Sequence, residues 1–269
     1  MHSIAFNIGS WPVHWYGVLV AVGFLAGLWT AGRRAPRTGV TPDQVSDAGP
    51  WLILGTVLGA RSLYVISYWQ EKFAGGPWWE IFMVQNGGLV FYGGLIGASL
   101  AVILYCRFRK ISLWKLADVF APSIALGYVF GRLGCLMNGC CYGSQCALPW
   151  AITYPQNAND TFPKDADHAL PVHPTQVYDS LLSLALYLFL AWLYRRKKFD
   201  GQVFAAYLIC YAFTRSFVEY FRGDYTPAHL SAGLITPAQL ISAGILVAGV
   251  TLAVVLWKTN SKTQIPNSK

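Results

Sequence analysis

The chain has 269 residues, of which 55% are hydrophobic, 15% aromatic and only 12% charged, with a mean hydropathy of +0.41. A soluble domain carries about a quarter charged residues, and surface-to-volume scaling forbids a globule of this size from enclosing so much apolar surface. Composition therefore excludes a water-soluble globule, and the abundant aromatic and branched aliphatic residues exclude disorder. The formal charge of +8, from 20 Lys and Arg against 12 Asp and Glu, reads as the cationic loops of a membrane protein. No nucleic-acid partner is expected from it.

Seven apolar runs are long enough for a bilayer-spanning helix, near 15–32, 48–68, 87–106, 114–135, 175–194, 202–221 and 235–257. The expected fold is an all-α polytopic membrane protein. Residues 1–257 form the membrane domain, with a loop or cap at about 139–173 and a tail at 258–269. The first residues, MHSIAFNIGSWPVHWYG, lack a cationic segment and a small-residue cleavage site, so they do not read as a removable signal peptide. His14, Trp15 and Tyr16 open the first span, where interfacial aromatics belong.

Arg61 sits inside the second span, in GARSLYV. The third leaves its loop at Asn86 and runs NGGLVFYGGLIGASLAVIL. Its five glycines permit close backbone approach, by a neighbouring helix or by a ligand. The fourth ends in GRLGCLMNGCCYG, which holds Arg132 and the cysteines Cys135, Cys140 and Cys141, with Cys146 just beyond. Small packing residues, an extracytoplasmic disulfide and a metal site are the three readings of this cluster. The spacing matches zinc-binding pairs poorly. The six cysteines of the whole chain are too few for a disulfide scaffold.

The polar, Pro-rich connection from Asn138 to Pro174 is the one long loop, and loops of that length between packed helices are usually functional or disordered. His173-Pro174-Thr175-Gln176 opens the fifth span, with Tyr178 and Asp179 on its first turn. Pro174 and Thr175 also suit a plain helix start. The sixth ends in TRSFVEYFRGD, where Arg215 and Glu219 share a helix face at i, i+4 spacing and Arg222 follows on the same side. That trio reads either as a structural ion pair or as part of an anion site.

Fourteen of the 20 Lys and Arg follow the first, third, fifth and seventh spans, for instance Arg33, Arg34, Arg107, Arg109, Arg195, Arg196, Lys197 and Lys258. Positive-inside sorting then places the N-terminus outside and the C-terminus in the cytoplasm. Charges within spans are costly and tend to be functional. Several arginines near a membrane interface match phosphate oxygens bidentately, which points to a phospholipid or another anionic amphiphile.

Six pieces taken together, HWYG at 14–17, GARSLYV at 59–65, GGLVFYGGLIG at 87–97, GRLGCLMNGCCYG at 131–143, HPTQVYD at 173–179 and RSFVEYFRGD at 215–224, give a chain that resembles bacterial prolipoprotein diacylglyceryl transferase over nearly its full length. The resemblance implies a multi-pass protein of the bacterial cytoplasmic (inner) membrane that acts in lipoprotein biosynthesis. The diacylglyceryl group of phosphatidylglycerol would pass to the lipobox cysteine in a prolipoprotein signal peptide. A thioether forms and glycerol phosphate departs. By likeness Arg132, Asn138 and Gly143 match the signature arginine, asparagine and closing glycine. Tyr16, Arg215 and Glu219 match other family positions.

The expected catalytic residues are Arg132, Arg215, Glu219 and Tyr92. Arg132, Tyr16, Asn138, Gly143, Arg61, Gly93, Gly94 and His173 are the expected substrate-binding residues, and no metal or redox cofactor is called for. The sequence departs from the family pattern at Tyr92, which stands where a histidine often assigned as the base is described. A phenol titrates near 10, so it is a poor base at neutral pH; the alternatives are that Tyr92 orients the lipid while Glu219 or His173 takes the proton, or that the acceptor thiol ionises unaided. It departs again at Cys135 and Cys140, which replace a signature asparagine and glutamate. A transferase with another lipid or thiol, and a lipid transporter, are the rival readings; the absence of a repeat weighs against transport.

Overall fold

The computed structural model describes residues 3–84, 87–154, 170–222 and 236–263. A short hairpin, β1 (Ile4–Ile8) and β2 (Trp11–His14), precedes seven helices: α1 (Trp15–Arg34), α2 (Pro42–Ser67), α3 (Phe91–Arg109), α4 (Leu113–Asn138), α5 (Thr175–Arg196), α6 (Gln202–Glu219) and α7 (Pro237–Thr263). Six of them are long and apolar enough to cross a bilayer. The seventh candidate, α6, has 18 residues and carries Arg215 and Glu219 near its end. The protein is thus an all-α polytopic membrane protein. Asn86, Gly223, Asp224 and the end of the 258–269 tail lie outside the described residues, as do residues 155–169 of the 139–173 loop.

The chain divides into two compact units, residues 32–116 and residues 1–31 with 117–269, so that α1 and α4 contribute to both. In the first unit α2 begins at a capping box: Gln44 N–H donates to Thr41 Oγ1 at 3.2 Å and Thr41 N–H to Gln44 Oε1 at 3.0 Å, with Pro42 at the first helical position. These polar residues hide the helix start from a hydropathy reading, which places the span six residues later. At the other end of the unit, Gly87 and Gly88 take φ of 79° and 80°, so α3 starts at Phe91 and not at 87 as expected. Left-handed backbone of this kind interrupts a helix and is natural to glycine.

Helices α2 and α3 pack along a seam of small residues. Gly55 and Gly59 on α2 face Gly93 and Gly97 on α3, each pair at the i, i+4 spacing that brings backbones together. A methyl group at Gly55 falls 2.5 Å from Ala101 Cβ and 2.6 Å from Gly97 O, and one at Gly93 falls 2.6 Å from Leu63 Cβ. Of the two sequence readings for these glycines, the helix–helix seam is the one this geometry displays.

In the second unit α4 is the most enclosed of the spans. Its Ser123 hydroxyl donates to Gly27 O of α1 at 2.6 Å, and a methyl at Gly23 falls 2.8 Å from Phe130 Cβ. Near its start the fully buried Asp118 accepts the Val203 and Phe204 N–H groups at 2.9 and 3.0 Å and the Gly201 N–H at 2.8 Å. A carboxylate from α4 therefore satisfies the free donors at the start of α6, where the helix dipole also favours negative charge. Lys197 closes the set at 2.8 Å from Asp118.

Candidate active site

Helix α4 carries Arg132 two turns before its end, and α5 presents Asp179 to it. Arg132 Nε lies 2.9 Å from Asp179 Oδ2, both side chains at least nine-tenths buried. The Tyr128 hydroxyl, one helical turn earlier, accepts from Arg132 Nε at 2.8 Å and from Nη2 at 2.5 Å, and its ring lies 4.9 Å from the guanidinium carbon. Tyr128 is itself set edge-on against Tyr211 of α6. Three helices thus fix one guanidinium.

Asp179 also feels the positive fields of Arg215 and Arg222. On α6 Arg215 Nη1 lies 2.6 Å from Glu219 Oε2, an ion pair whose angles are not those of a hydrogen bond. The Glu219 side chain is almost fully buried, and its other oxygen accepts the Thr236 hydroxyl at 3.3 Å. Two arginine–carboxylate pairs, Arg132 with Asp179 and Arg215 with Glu219, therefore belong to one cluster.

The turn after α4 holds the signature residues. Gly143 pairs antiparallel with Arg222; its N–H donates to His173 O at 2.9 Å, and Ser144 N–H donates to Phe221 O at 2.8 Å. A methyl group at Gly143 falls 2.5 Å from both His173 Cβ and Phe221 O. Only glycine lets the strand-like segments on either side meet, and this contact ties the end of α6 to the end of α4. The His173 ring lies tilted against Phe221 at 5.2 Å, and its Nδ1 lies 3.3 Å from the Tyr178 hydroxyl. Tyr154 lies under the same turn, where burial pushes its phenol up to about 12.

Two backbone carbonyls of this turn are held from α5. Thr175 donates to Cys141 O at 2.8 Å and Gln176 to Cys140 O at 2.7 Å. Gly139 and Cys141 take φ of 72° and 65°, which folds the chain back on the helix end. The Sγ atoms of Cys135, Cys140 and Cys141 consequently lie within 4.8 Å of one another. All six cysteines are unpaired. Hydrogen bonds from the Cys135 and Cys140 thiols, with the nearby Arg132 and Arg222 charges, hold the Cys141 thiol well below its ordinary value. Tyr16 interacts electrostatically with all three cysteines and with Arg132, and the Asn138 side chain hydrogen-bonds Cys140.

This second unit gathers Arg132, Tyr16, Asn138, Gly143, His173, Arg215 and Glu219. The remaining expected residues belong to the first unit. The Arg61 guanidinium donates to the carbonyls of Glu80 at 2.6 Å, Ile81 at 2.7 Å, Gly87 at 2.8 Å and Gly88 at 3.2 Å. A buried arginine here organises the loop before α3. Gly93 and Gly94 face α2, Gly94 meeting Thr56. Tyr92 is 52% exposed, with its ring edge-on to Phe91.

Sequence reasoning missed Asp118 and the role of Asp179. The available signal was the same one that singled out the arginines, an ionisable residue on an otherwise apolar helix.

The model of the family described as prolipoprotein diacylglyceryl transferase matches residues 3–255. The chain is 34% identical over 257 residues to the phosphatidylglycerol–prolipoprotein diacylglyceryl transferase of Finegoldia magna, covering 94% of this chain and 95% of the relative. It is 36% identical over 260 residues to that of Gloeobacter violaceus, covering 96% and 92%, and 33% identical over 264 residues to that of Pseudoalteromonas translucida, covering 97% and 94%.

Proposed function

The chain belongs to the prolipoprotein diacylglyceryl transferase family, and on that premise we propose how its residues move the diacylglyceryl group from phosphatidylglycerol to a prolipoprotein. The acceptor is the thiol of a lipobox cysteine. Its sulfur attacks the glyceryl CH2 carbon, a C–S bond forms, the C–O bond to phosphate breaks, and glycerol phosphate leaves with the electron pair. Developing negative charge on the leaving phosphate is the term that fixed cationic donors stabilise best.

The observation that carries this reading is the buried ion pair of Arg132 with Asp179 at 2.9 Å, with Arg215 and Arg222 near enough to act electrostatically on the same carboxylate. Asp179 and Tyr128 hold Arg132 in one orientation, so its remaining donors are aimed before the lipid arrives. Arg215, set by Glu219, supplies the second clamp. Tyr16 and Asn138 contact the headgroup, and Gly143 with His173 shapes the floor beneath it. Arg61, Gly93 and Gly94 act in the first unit as scaffold. Tyr92, on the first turn of α3, orients the lipid.

Alternating cationic loops support an N-terminus outside and a C-terminus in the cytoplasm. On that orientation the arginine cluster lies at the outer face of the cytoplasmic membrane, with residues 139–173 as its cap and 258–269 as the cytoplasmic tail. The test uses the purified protein, phosphatidylglycerol vesicles and a lipobox peptide, with mass spectrometry of the peptide. A gain of one diacylglyceryl group on cysteine is expected; an unmodified peptide with the lipid still bound overturns the reading.

A further inference from the structure

Three unpaired thiols stand together beside the arginine cluster, and neither packing nor the transfer described above uses them. Cys135 belongs to the last turns of α4, while Cys140 and Cys141 return to it through the left-handed backbone at Gly139 and Cys141. A non-glycine residue in that region is uncommon and marks a site held by its surroundings. The holding groups are visible: Cys140 N–H donates to Cys135 O at 3.1 Å, and Thr175 and Gln176 fix the next two carbonyls.

Zinc–thiolate bonds of about 2.3 Å at tetrahedral angles place sulfurs roughly 3.8 Å apart, so sulfurs within 4.8 Å of one another need only a small closure. The three cysteines are half-buried, shielded yet reachable. Three thiolates on a divalent ion leave a net charge of −1, and the acceptor thiolate brings it to −2, in the positive field of the neighbouring Arg132 and Arg222. Three protein ligands also leave a tetrahedral ion one position short, the arrangement of catalytic and not structural zinc sites.

The acceptor thiol needs a proton acceptor, and His173, with its Nδ1 3.3 Å from the Tyr178 hydroxyl, is the one imidazole among the expected site residues. Glu219 is engaged by Arg215 and Thr236, and Tyr92 is a phenol. We propose that Cys135, Cys140 and Cys141 bind one thiophilic divalent cation of the zinc class, whose fourth coordination position takes the acceptor cysteine as its thiolate. A thiol that coordinates such an ion is deprotonated outright. The acceptor S–H gives its proton to solvent as the sulfur–metal bond forms. The same sulfur then forms the C–S bond, glycerol phosphate leaves with the C–O electron pair onto Arg132 and Arg215, and the metal keeps its oxidation state. The thioether product is a weaker ligand and is released. This inference rests on the transferase reading, and it replaces the expectation that no metal is called for.

The test begins without catalysis. The full-length protein, purified in detergent under anaerobic reducing conditions, is titrated with Co2+. A saturable one-to-one sulfur-to-cobalt charge-transfer band is expected, weakened at least 100-fold in affinity by Cys135→Ser, Cys140→Ser or Cys141→Ser and untouched by Cys146→Ser. Adding a lipobox peptide changes the cobalt spectrum, whereas the same peptide with serine for cysteine does not. Stripping the metal lowers transfer at least tenfold, and Zn2+ restores it. Absence of the band, its survival in Cys140→Ser, indifference to the peptide thiol, or equal transfer with and without metal each overturns the proposal. So does a reductant-sensitive disulfide mapped to these cysteines in protein taken directly from membranes. A metal-loaded protein that binds the peptide thiol but never transfers from phosphatidylglycerol supports the metal site and sinks the transferase reading instead.

Discussion

Arg132 of α4 and Asp179 of α5 form an ion pair of 2.9 Å with side chains 10% and 5% exposed. Burying two charges is costly, and pairs of this kind are tolerated where geometry is good and the remaining donors are satisfied. Tyr128 supplies that satisfaction on the helix side. Asp179 is a positioning residue on this view, since it acts on substrate only through the guanidinium.

Asp179→Asn keeps the shape of the side chain and removes its charge. The buried arginine is then uncompensated, at a cost of about 3–5 kcal/mol in stability, read as a lower unfolding midpoint in detergent. At temperatures where the variant stays folded, kcat should fall about 100-fold while KM for phosphatidylglycerol changes little, because binding charge remains but its aim is lost. An unchanged kcat with a raised KM means Asp179 is only a neutralising charge.

Arg132→Ala and Arg215→Ala should each abolish detectable transfer while the protein still accumulates in the membrane. Loss of one donor to a developing oxyanion costs about 10²–10³ in rate, and here each substitution removes a whole guanidinium. Arg132→Lys restores the charge without the fork that matches phosphate, so it should recover less than a tenth of the activity. Near wild-type lipidation by either alanine variant refutes the phosphate clamp at that residue.

The sequence shows the helices wherever length and apolarity suffice, and it fails where polar residues belong to a helix. The start of α2 is such a case, since Thr41 and Gln44 cap it reciprocally and look like loop. The hairpin Ile4–Ile8 and Trp11–His14 is too short for any periodicity. Arg61 was legible as a buried charge but not as a partner of four loop carbonyls, which lie 19 to 27 residues away in sequence. The cysteine cluster is hidden from the sequence for a related reason: its spacing does not match a linear zinc motif, and the positive φ at Gly139 and Cys141 brings the sulfurs together.

Gly143→Ala tests the close approach of the α4 and α6 ends. Its new methyl meets His173 Cβ and Phe221 O at 2.5 Å, and backbone cannot yield as a flexible side-chain tip does. Overpacking of this kind costs about 1–3 kcal/mol, and transfer should fall with it because Arg222 pairs with the same residue. Gly131→Ala is the matched control, since a methyl there meets nothing within 4 Å and alanine is the better helix former. Equal unfolding midpoints for the two variants contradict the argument.

Lys197 provides a pH dependence at the other end of α4. Burial alone lowers its ammonium, but the ion pairs with Asp118 at 2.8 Å and Asp200 at 2.9 Å outweigh that and hold it above its ordinary value. A group raised in the folded state contributes stability that is fully present below its unfolded value, about 10.4, and is lost as pH rises through the folded one. The unfolding midpoint in detergent should therefore hold between pH 7 and 9 and fall above about pH 10.4, and Lys197→Met should remove that part of the fall. Asp118→Ala also strands the Gly201, Val203 and Phe204 donors, so it should lose about 3–5 kcal/mol at neutral pH while the folded fraction still transfers lipid. Wild-type and Lys197→Met curves that run parallel through pH 11 refute this account of the anchor.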